Sequence, residues 1–303
     1  MTDGKKTDTI LILGASGMLG HTLFSQLFHS DRFEVRATAR GTELLSRNFP
    51  PEMLSNIVGG VDADNFDSIV KVIAEVKPDC VVNCIGIIKQ LAASTEHIPA
   101  LSVNSLFPHR LAMLCRAAGS RLIHISSDCV FDGSKGNYLE ADTANATDLY
   151  GRTKFLGEVA SCPHCITLRT SIIGHELGTR YGLVEWFLSQ TAEACGFTGA
   201  TFSGLPTVVL ADILINQVIP DLKLQGLYHV SSDPITKYDL LRMIAQQYGV
   251  PTKITPCDNF IADRSLDSRR FREATGYLAP SWDEMTRRMH QDFITAKHYK
   301  ERY

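Results

Sequence analysis

The sequence predicts an α/β protein with a Rossmann-type doubly wound parallel sheet and a smaller carboxyl-terminal substrate domain. Short apolar runs alternate with helical patterns through the first half of the chain, as a parallel sheet with helical crossovers requires. A glycine-rich turn directly follows the first apolar run, and the alternation stops after Ile172. We therefore expect a nucleotide-binding domain over residues 1–171 and a mainly substrate-binding domain over residues 172–303. Sheet elements should return to the first domain around residues 205–230.

The spacing of apolar residues assigns each element. Apolar runs bounded by turn residues predict strands at Ile10–Gly14, Phe33–Ala39, Asn56–Val61, Cys80–Ile85, Arg121–Ser126 and Cys165–Ser171. Apolar residues three or four apart predict helices between them at Met18–Phe28, Asn65–Glu75, Ile98–Ala118 and Tyr150–Ala160. Later patterns predict helices at Leu183–Ala194, Lys237–Tyr248 and Trp282–Ala296, with a returning strand at Leu227–Val230.

The glycine-rich turn has the G-x-x-G-x-x-G spacing, formed by Gly14, Gly17 and Gly20. A strand, a glycine turn and a helix form the context in which backbone N–H groups approach a pyrophosphate at a helix amino terminus. An ordinary βα turn is the alternative. The predicted cofactor contacts in this turn are Gly14, Ser16, Gly17, Met18, Leu19 and Gly20.

The end of the second strand indicates which dinucleotide binds. Sites for NAD place a carboxylate about 20 residues after the glycine turn, whereas an arginine accommodates the 2'-phosphate of NADP. The chain reads Arg36-Ala37-Thr38-Ala39-Arg40 there and has no carboxylate. Arg40 therefore predicts NADP as cofactor, with NADPH preferred over NADH, unless it is a solvated loop arginine.

A second motif is the Tyr-x-x-x-Lys spacing of Tyr150 and Lys154. Residues i and i+4 share a face of a helix. A nearby cation should lower the pKa of a tyrosine from about 10 toward neutrality, so Tyr150 could exchange protons in catalysis. A chance pair on a solvated helix face is the alternative.

Composition excludes several classes of partner. The chain has 303 residues, 44% of them hydrophobic, which is enough to bury a core. A net charge of −3 gives no bias toward polyanions, so we expect no nucleic acid or membrane partner. The amino-terminal MTDGKKTD is polar, and no apolar stretch reaches about 18 residues. A cytoplasmic protein is expected.

Eight cysteines are scattered along the chain, several within apolar patterns, and we expect all of them to be reduced. Cys162-Pro163-His164-Cys165 is the one candidate metal motif, but zinc requires four ligands and no second paired motif exists. A turn leading into the next strand is the preferred interpretation, and no metal is predicted.

Together the motifs resemble the extended branch of the short-chain dehydrogenase/reductase superfamily. Within that branch the chain resembles the dTDP-4-dehydrorhamnose reductase family, because ISSDCVFDG, YGRTK, LRTS, GLPT and GLYHVS follow one another in that family's order. The similarity runs from Ile10 to about Phe293. It implies NADPH-dependent reduction of a nucleotide-linked 4-keto-6-deoxy sugar, in the synthesis of deoxysugar precursors for surface polysaccharides.

The resemblance also implies the site residues. The catalytic group would comprise Ser127, Tyr150 and Lys154, with Ser126 as the alternative serine, and Tyr150 and Lys154 would also contact the cofactor. Asn104 would support a water near Lys154, unless its amide is simply buried and satisfied. Further cofactor contacts, several of which could equally be turn residues, would be Asp62, Ala63, Asn83, Cys84, Ile85, Gly86, Asn104 and Ile172. Substrate contacts would be Lys89, Ser127, Asp128, Pro206 and Arg264.

Two departures from the family pattern leave the sugar and the assembly open. Members of the rhamnose pathway carry tryptophan at the position of Ile172, and some carry a magnesium-binding glutamate at a dimer interface where this chain has Thr22. We expect a dTDP- or UDP-linked sugar and a possible homodimer. An epimerase or dehydratase of the superfamily is one alternative. A non-catalytic regulatory subunit, like that of methionine adenosyltransferase, is the other.

Overall fold

The computed structural model describes residues 7–296 and residue 299, so the first six residues of the polar amino-terminal stretch lie outside the described residues. The strands are β1 (Thr9–Leu13), β2 (Glu34–Thr38), β3 (Ile57–Val58), β4 (Cys80–Asn83), β5 (Arg121–Ile125), β6 (Cys165–Arg169), β7 (Ile172–Ile173), β8 (Glu193–Phe202), β9 (Leu205–Pro206), β10 (Gly226–His229), β11 (Ile235–Thr236) and β12 (Lys253–Asp263).

The helices are α1 (Met18–Phe28), α2 (Glu43–Asn48), α3 (Pro51–Leu54), α4 (Phe66–Val76), α5 (His97–Ala100), α6 (Phe107–Ala118), α7 (Leu149–Leu156), α8 (Leu183–Leu188), α9 (Thr207–Ile213), α10 (Lys237–Tyr248), α11 (Arg269–Thr275) and α12 (Trp282–Thr295). A π-helical stretch over Leu101–Leu106 joins α5 to α6. No helix in the described part of the chain is long and apolar enough to span a membrane.

The central layer is a seven-stranded parallel sheet in the order β10-β6-β5-β4-β1-β2-β3. This order confirms the predicted doubly wound fold. The chain moves outward from β1 in one direction through β2 and β3, and in the other direction through β4, β5 and β6. Ligands of such sheets bind at the carboxyl ends of the strands where the direction changes, which here are β1 and β4.

The core lies on both faces of this sheet. Alternate residues of β1 point to opposite sides, so Ile10 and Ile12 join an apolar cluster with Leu23 of α1, whereas Leu11 joins one with Ile69 of α4. The first cluster also contains residues of α9, α10 and α12 from beyond residue 171. The division into two domains at residue 171 stays a prediction.

The amino-terminal turn of α1 is held by an aromatic residue near the end of the chain. His21 Nδ1 lies 2.8 Å from the carbonyl oxygen of Gly17, and its Nε2 lies 2.7 Å from the hydroxyl of Tyr299. Because a carbonyl oxygen only accepts, Nδ1 carries the proton and Nε2 accepts from the tyrosine. The glycine turn is thus connected to the carboxyl-terminal segment through one buried imidazole.

A small second sheet, in the order β11-β8-β12, was not predicted. The helix expected over Leu183–Ala194 is wrong after Leu188, because the chain enters β8 at Glu193. Glycines and polar residues interrupt the apolar alternation of β8, and the strand is stabilised by parallel pairing with the distant β12. Sequence periodicity does not record such long-range pairing.

The same pairing corrects the prediction for the cysteines. Cys195 of β8 and Cys257 of β12 form a disulfide, with a Cα–Cα distance of 5.9 Å, which is within the range that disulfides span. The expectation of eight reduced cysteines is therefore wrong for this pair. The other six are free thiols.

Candidate active site

The glycine turn is tight because the backbones at Gly14 and Gly20 contact each other directly. Gly14 has φ of +92°, and a Cβ on Gly20 would lie 2.1 Å from the carbonyl oxygen of Gly14. Only glycine fits this close approach. The turn ends at Gly17, which begins α1 without a side-chain cap, and no acidic residue occupies the first turn. The N–H groups of Met18 and Leu19 therefore form an anion site of the kind that binds a pyrophosphate.

Arg40 follows β2 and is exposed. Its carbonyl oxygen accepts a hydrogen bond from the N–H of Gly60, which fixes the backbone while the side chain extends into solvent. Glu43 was not predicted to lie near this turn. Its carboxylate is 2.5 Å from the position that a Cβ on Gly41, the residue after Arg40, would take. Asp62 closes its own turn by accepting from the N–H of Asp64, and Ala63 is buried beside it.

The segment after β4 is held by two buried amides. Asn83 accepts a hydrogen bond from the N–H of Ile85 and contacts His124 Nδ1 at 3.1 Å. Asn104 binds both backbone polar groups of Ile87, accepting from its N–H at 2.9 Å and donating to its carbonyl oxygen at 3.1 Å. Asn104 is thus satisfied by backbone, in accord with the buried-amide alternative. A water-supporting role for it stays a prediction.

The structure separates the two candidate serines. Ser126 donates to the Glu158 carboxylate at 2.8 Å, and Glu158 is itself held by Arg169 at 2.7 Å. Ser127, in contrast, donates to a carboxylate oxygen of Asp128 at 3.2 Å, and its hydroxyl lies close enough to Tyr150 to lower the pKa of the phenol. The serine that meets the tyrosine is therefore Ser127, and Ser126 belongs to a buried structural network.

Helix α7 supplies the tyrosine and the lysine. It begins at Asp148, whose carboxylate accepts from the N–H of Gly151 and also binds the Lys89 ammonium at 2.7 Å. One turn after Tyr150, the buried Lys154 ammonium donates to the carbonyl oxygen of Ile125 at 2.8 Å. The capping role of Asp148 was not predicted, although an aspartate directly before the first helical residue is typical of an N-cap.

Lys154 and the β4 segment approach each other. A Cβ on Gly86 would lie 3.8 Å from the Lys154 ammonium and 3.4 Å from the side-chain oxygen of Asn104. Glycine at position 86 keeps this space open. The β4 segment thus lies beside Lys154, and the glycine turn lies beside the β4 segment, since Gly14 packs against Ile85.

Burial dominates the electrostatics of the group and corrects one expectation. Burial raises the pKa of Tyr150, and the neighbouring Cys129 and Asp128 act in the same direction, while only the Ser127 hydrogen bond lowers it. The predicted lowering by Lys154 is therefore wrong for the protein without ligands. The Lys154 pKa itself falls to about 8, because burial disfavours its charge more than Glu158 favours it.

The remaining predicted contacts are Asp128, Arg264, Ile172 and Pro206. Burial raises the pKa of Asp128 against the influence of Arg264. Arg264 donates from Nε to the carbonyl oxygen of Phe131 and from Nη2 to that of Asp132, both at 3.0 Å. Ile172 is half-buried in the β7–β9 pair, and Pro206 is buried in the same pair. Among the described residues, no three histidine, cysteine, aspartate or glutamate side chains converge as a metal site would require.

The strand order, the glycine turn and the Ser–Tyr–Lys group define an extended short-chain dehydrogenase/reductase fold. Residues 8–294 match the model of the family described as RmlD substrate binding domain, and the chain belongs to this family. It is similar to a dTDP-4-dehydrorhamnose reductase of Aggregatibacter actinomycetemcomitans, with 28% identity over 90% of this chain and 95% of that protein.

Two further relatives differ in what their names state. A methionine adenosyltransferase 2 subunit beta of Danio rerio is 27% identical over 80% of this chain and 75% of that protein. The crystal structure of a Bacillus anthracis dTDP-4-dehydrorhamnose reductase in complex with NADP has a TM-score of 0.78, with 21% identity over 95% of this chain and all of that one. The last similarity establishes the fold.

Burial of Lys154 predicts a pH-dependent difference in stability. Its pKa falls from 10.5 to about 8 on folding, so between these pH values the folded protein binds fewer protons than the unfolded chain. Stability then gains a contribution as the pH rises through this interval. In cofactor-free protein, the free energy of unfolding of Lys154→Met minus that of wild type should fall by about 3 kcal/mol across it. Denaturant titrations at each pH measure this.

The exposed Lys253 provides the control, since Lys253→Met should show no such trend. A Lys154→Met profile parallel to that of wild type would mean that Lys154 has an ordinary pKa in the folded protein.

Proposed function

We propose that the protein is an NADPH-dependent reductase of a nucleotide-linked 4-keto-6-deoxy sugar, active in the cytoplasm. The observation that carries the proposal is that Ser127 and Tyr150 come together at the carboxyl edge of the sheet, where Ser127 lowers the pKa of Tyr150. Lys154, on the same helix as Tyr150, is buried there and donates to the carbonyl oxygen of Ile125. This arrangement can hold a carbonyl oxygen, protonate it and bind a dinucleotide beside it. The reductases among its relatives support the same reaction.

Each residue has a separate task in this reaction. NADPH, when bound, supplies the hydride. Ser127 holds the ketone oxygen by hydrogen bonding and Tyr150 gives it a proton. The raised pKa keeps Tyr150 protonated at neutral pH, so the acid is present before substrate binds. Lys154 would hold the ribose of the cofactor and would supply a cation one helical turn from the phenolate that forms.

The first test separates the two serines and the tyrosine. Tyr150→Phe and Ser127→Ala should each lose about 10² to 10⁴-fold in turnover, because general acid catalysis and positioning of the ketone are worth this much. Ser126→Ala should retain most activity and lose stability instead, since it breaks only the contact to Glu158. NADPH oxidation with a panel of dTDP- and UDP-linked 4-keto-6-deoxy sugars measures the turnover.

The relatives named as methionine adenosyltransferase subunits support a second candidate, a non-catalytic regulatory subunit. If no sugar in the panel oxidises NADPH while the protein binds a methionine adenosyltransferase tightly, the regulatory function replaces the reductase. Full turnover by Tyr150→Phe would remove this tyrosine from the mechanism but leave the substrate class standing.

The preference for NADPH depends on Arg40 in this proposal. An arginine bound to the 2'-phosphate makes a charge-assisted hydrogen bond worth about 1.5 to 3 kcal/mol. Arg40→Ala should therefore weaken NADPH binding about 10 to 150-fold and leave NADH binding nearly unchanged, as fluorescence titration would show. Arg47→Ala is the control, because Arg47 is also an exposed arginine but lies in α2. Equal losses of affinity for NADPH and NADH would show that Arg40 does not bind the 2'-phosphate.

We also propose that the protein forms a homodimer through an apolar surface on two neighbouring helical segments. His109 of α6 contacts the carbonyl oxygen of Leu156 in α7 at 2.7 Å, so these segments lie side by side. Large apolar side chains are exposed along both. Exposed apolar side chains on adjacent helical segments favour association with a second copy. The residues concerned are Ile98, Leu101, Leu106, Met113, Phe155 and Leu156.

A charge on this surface should separate the subunits. Met113 is 70% exposed, so Met113→Glu costs little in the monomer but buries a carboxylate in the proposed interface. Light scattering should show a dimer for wild type and a monomer for this variant. Leu278→Glu, at an equally exposed position outside the surface, should leave the dimer intact. A monomeric wild type would contradict the proposal.

A further inference from the structure

The small sheet places two cationic residues close enough to Asp128 to interact with its charge. Thr201 of β8 pairs with Thr236 of β11 on one side and with Asp263 of β12 on the other. Lys237 and Arg264 directly follow these two partners, and the N–H of Arg264 donates to the carbonyl oxygen of Thr201 at 3.0 Å. Both residues therefore leave the sheet near the same end, although they are 27 positions apart in the sequence.

The two cations are bound differently by the protein. Arg264 uses Nε and Nη2 for the carbonyl oxygens of Phe131 and Asp132, so only part of its guanidinium is available to a ligand. Lys237 is half-buried, and its ammonium makes no hydrogen bond or ion pair within the part of the chain that the structure describes. Lys237 is thus the cation of the two whose side chain is unpaired, and it was not among the predicted site residues.

The surroundings of Lys237 favour an incoming anion. Burial lowers its pKa, the Asp128 and Cys129 side chains oppose this, and the charges of Arg264 and Lys89 add to it. The ammonium also stands at the first residue of α10, where the helix dipole disfavours a cation. A half-buried charge without a direct partner is costly, and an anionic ligand would remove that cost.

We propose that Lys237, beside Arg264, binds the diphosphate of the nucleotide-linked substrate. This inference rests on the proposed function. Asp128, whose charge interacts with those of both cations, directly follows the catalytic Ser127, so the anion subsite lies next to the catalytic hydroxyls without including them. A hexose requires this arrangement, because its ring separates the 4-keto carbon from the diphosphate on carbon 1. Lys237 would thus orient the sugar by its opposite end.

Binding of products without a sugar tests the subsite apart from catalysis. Titration calorimetry with dTDP and UDP, in the presence of NADP, should show about 10-fold or greater weakening for Lys237→Met, because one charge-assisted contact to phosphate is lost. Thymidine and uridine, which lack phosphate, should bind this variant and wild type equally. Lys237→Arg should restore most of the affinity. Lys253→Met, at an exposed lysine of the same domain, should have no effect.

A pH series adds a readout that a structural role would not change. Since the Lys237 pKa is lowered, its charge and the wild-type affinity for dTDP should be lost at a lower pH than for an ordinary lysine. Lys237→Arg should not show this loss, because arginine remains charged. The other groups that face this position, Asp128, Cys129, Arg264 and Lys89, are the same in both proteins.

The outcomes separate this inference from the proposed function. If wild type binds neither nucleoside diphosphate, the nucleotide-sugar reductase itself is wrong, and the subsite falls with it. If wild type binds them and Lys237→Met binds equally well, only the subsite is wrong. Equal weakening for nucleosides and nucleoside diphosphates would show that Lys237 supports the fold by offsetting the Asp128 charge, which also overturns the proposal.

Discussion

The contact between α7 and the helix that carries Asn104 is the constraint on which the rest of the site depends. A Cβ on Gly157 would lie 1.9 Å from the carbonyl oxygen of Asn104, so the two backbones touch. Ser105 donates to the carbonyl oxygen of Thr153 across the same contact. The π-helical turn at Leu101–Leu106 occurs where the contact is made, in accord with the frequent occurrence of such turns at functional sites. Tyr150, Lys154 and the segment after β4 are positioned from here.

Burial of ionisable side chains is the second constraint on the site, and it makes their charged forms unfavourable when no ligand is bound. It raises the pKa values of Tyr150 and Asp128 and lowers those of Lys154 and Lys237. Each shift means that the charged form lacks the solvation it has in water. A dinucleotide and a diphosphate would bring partners for both lysines. The same burial that penalises the charges therefore favours the ligands that relieve them.

The sheet and most of its helices could be predicted because their signals are local. The runs that form β1 and β4 are apolar throughout, as buried parallel strands are, and α10 begins and ends where its cap residues indicate. The strands β8 and β12 could not be predicted, since glycines at Gly196 and Gly199 weaken the pattern and the pairing joins residues far apart in the chain. The disulfide between Cys195 and Cys257 follows from that pairing.

The sequence by itself determined the class of site: a glycine turn before a helix, Tyr150 and Lys154 one helical turn apart, and a serine at the end of a strand. These depend on spacing within one element, which local geometry converts directly into position. Only the tertiary structure decided that Ser127 lies close enough to Tyr150 to influence its pKa while Ser126 binds Glu158, that Tyr150 has a raised pKa, and that the charges of Lys237 and Arg264 interact. These properties depend on contacts between distant segments and on the exclusion of solvent by those contacts. Neither can be predicted from the spacing of residues in the sequence.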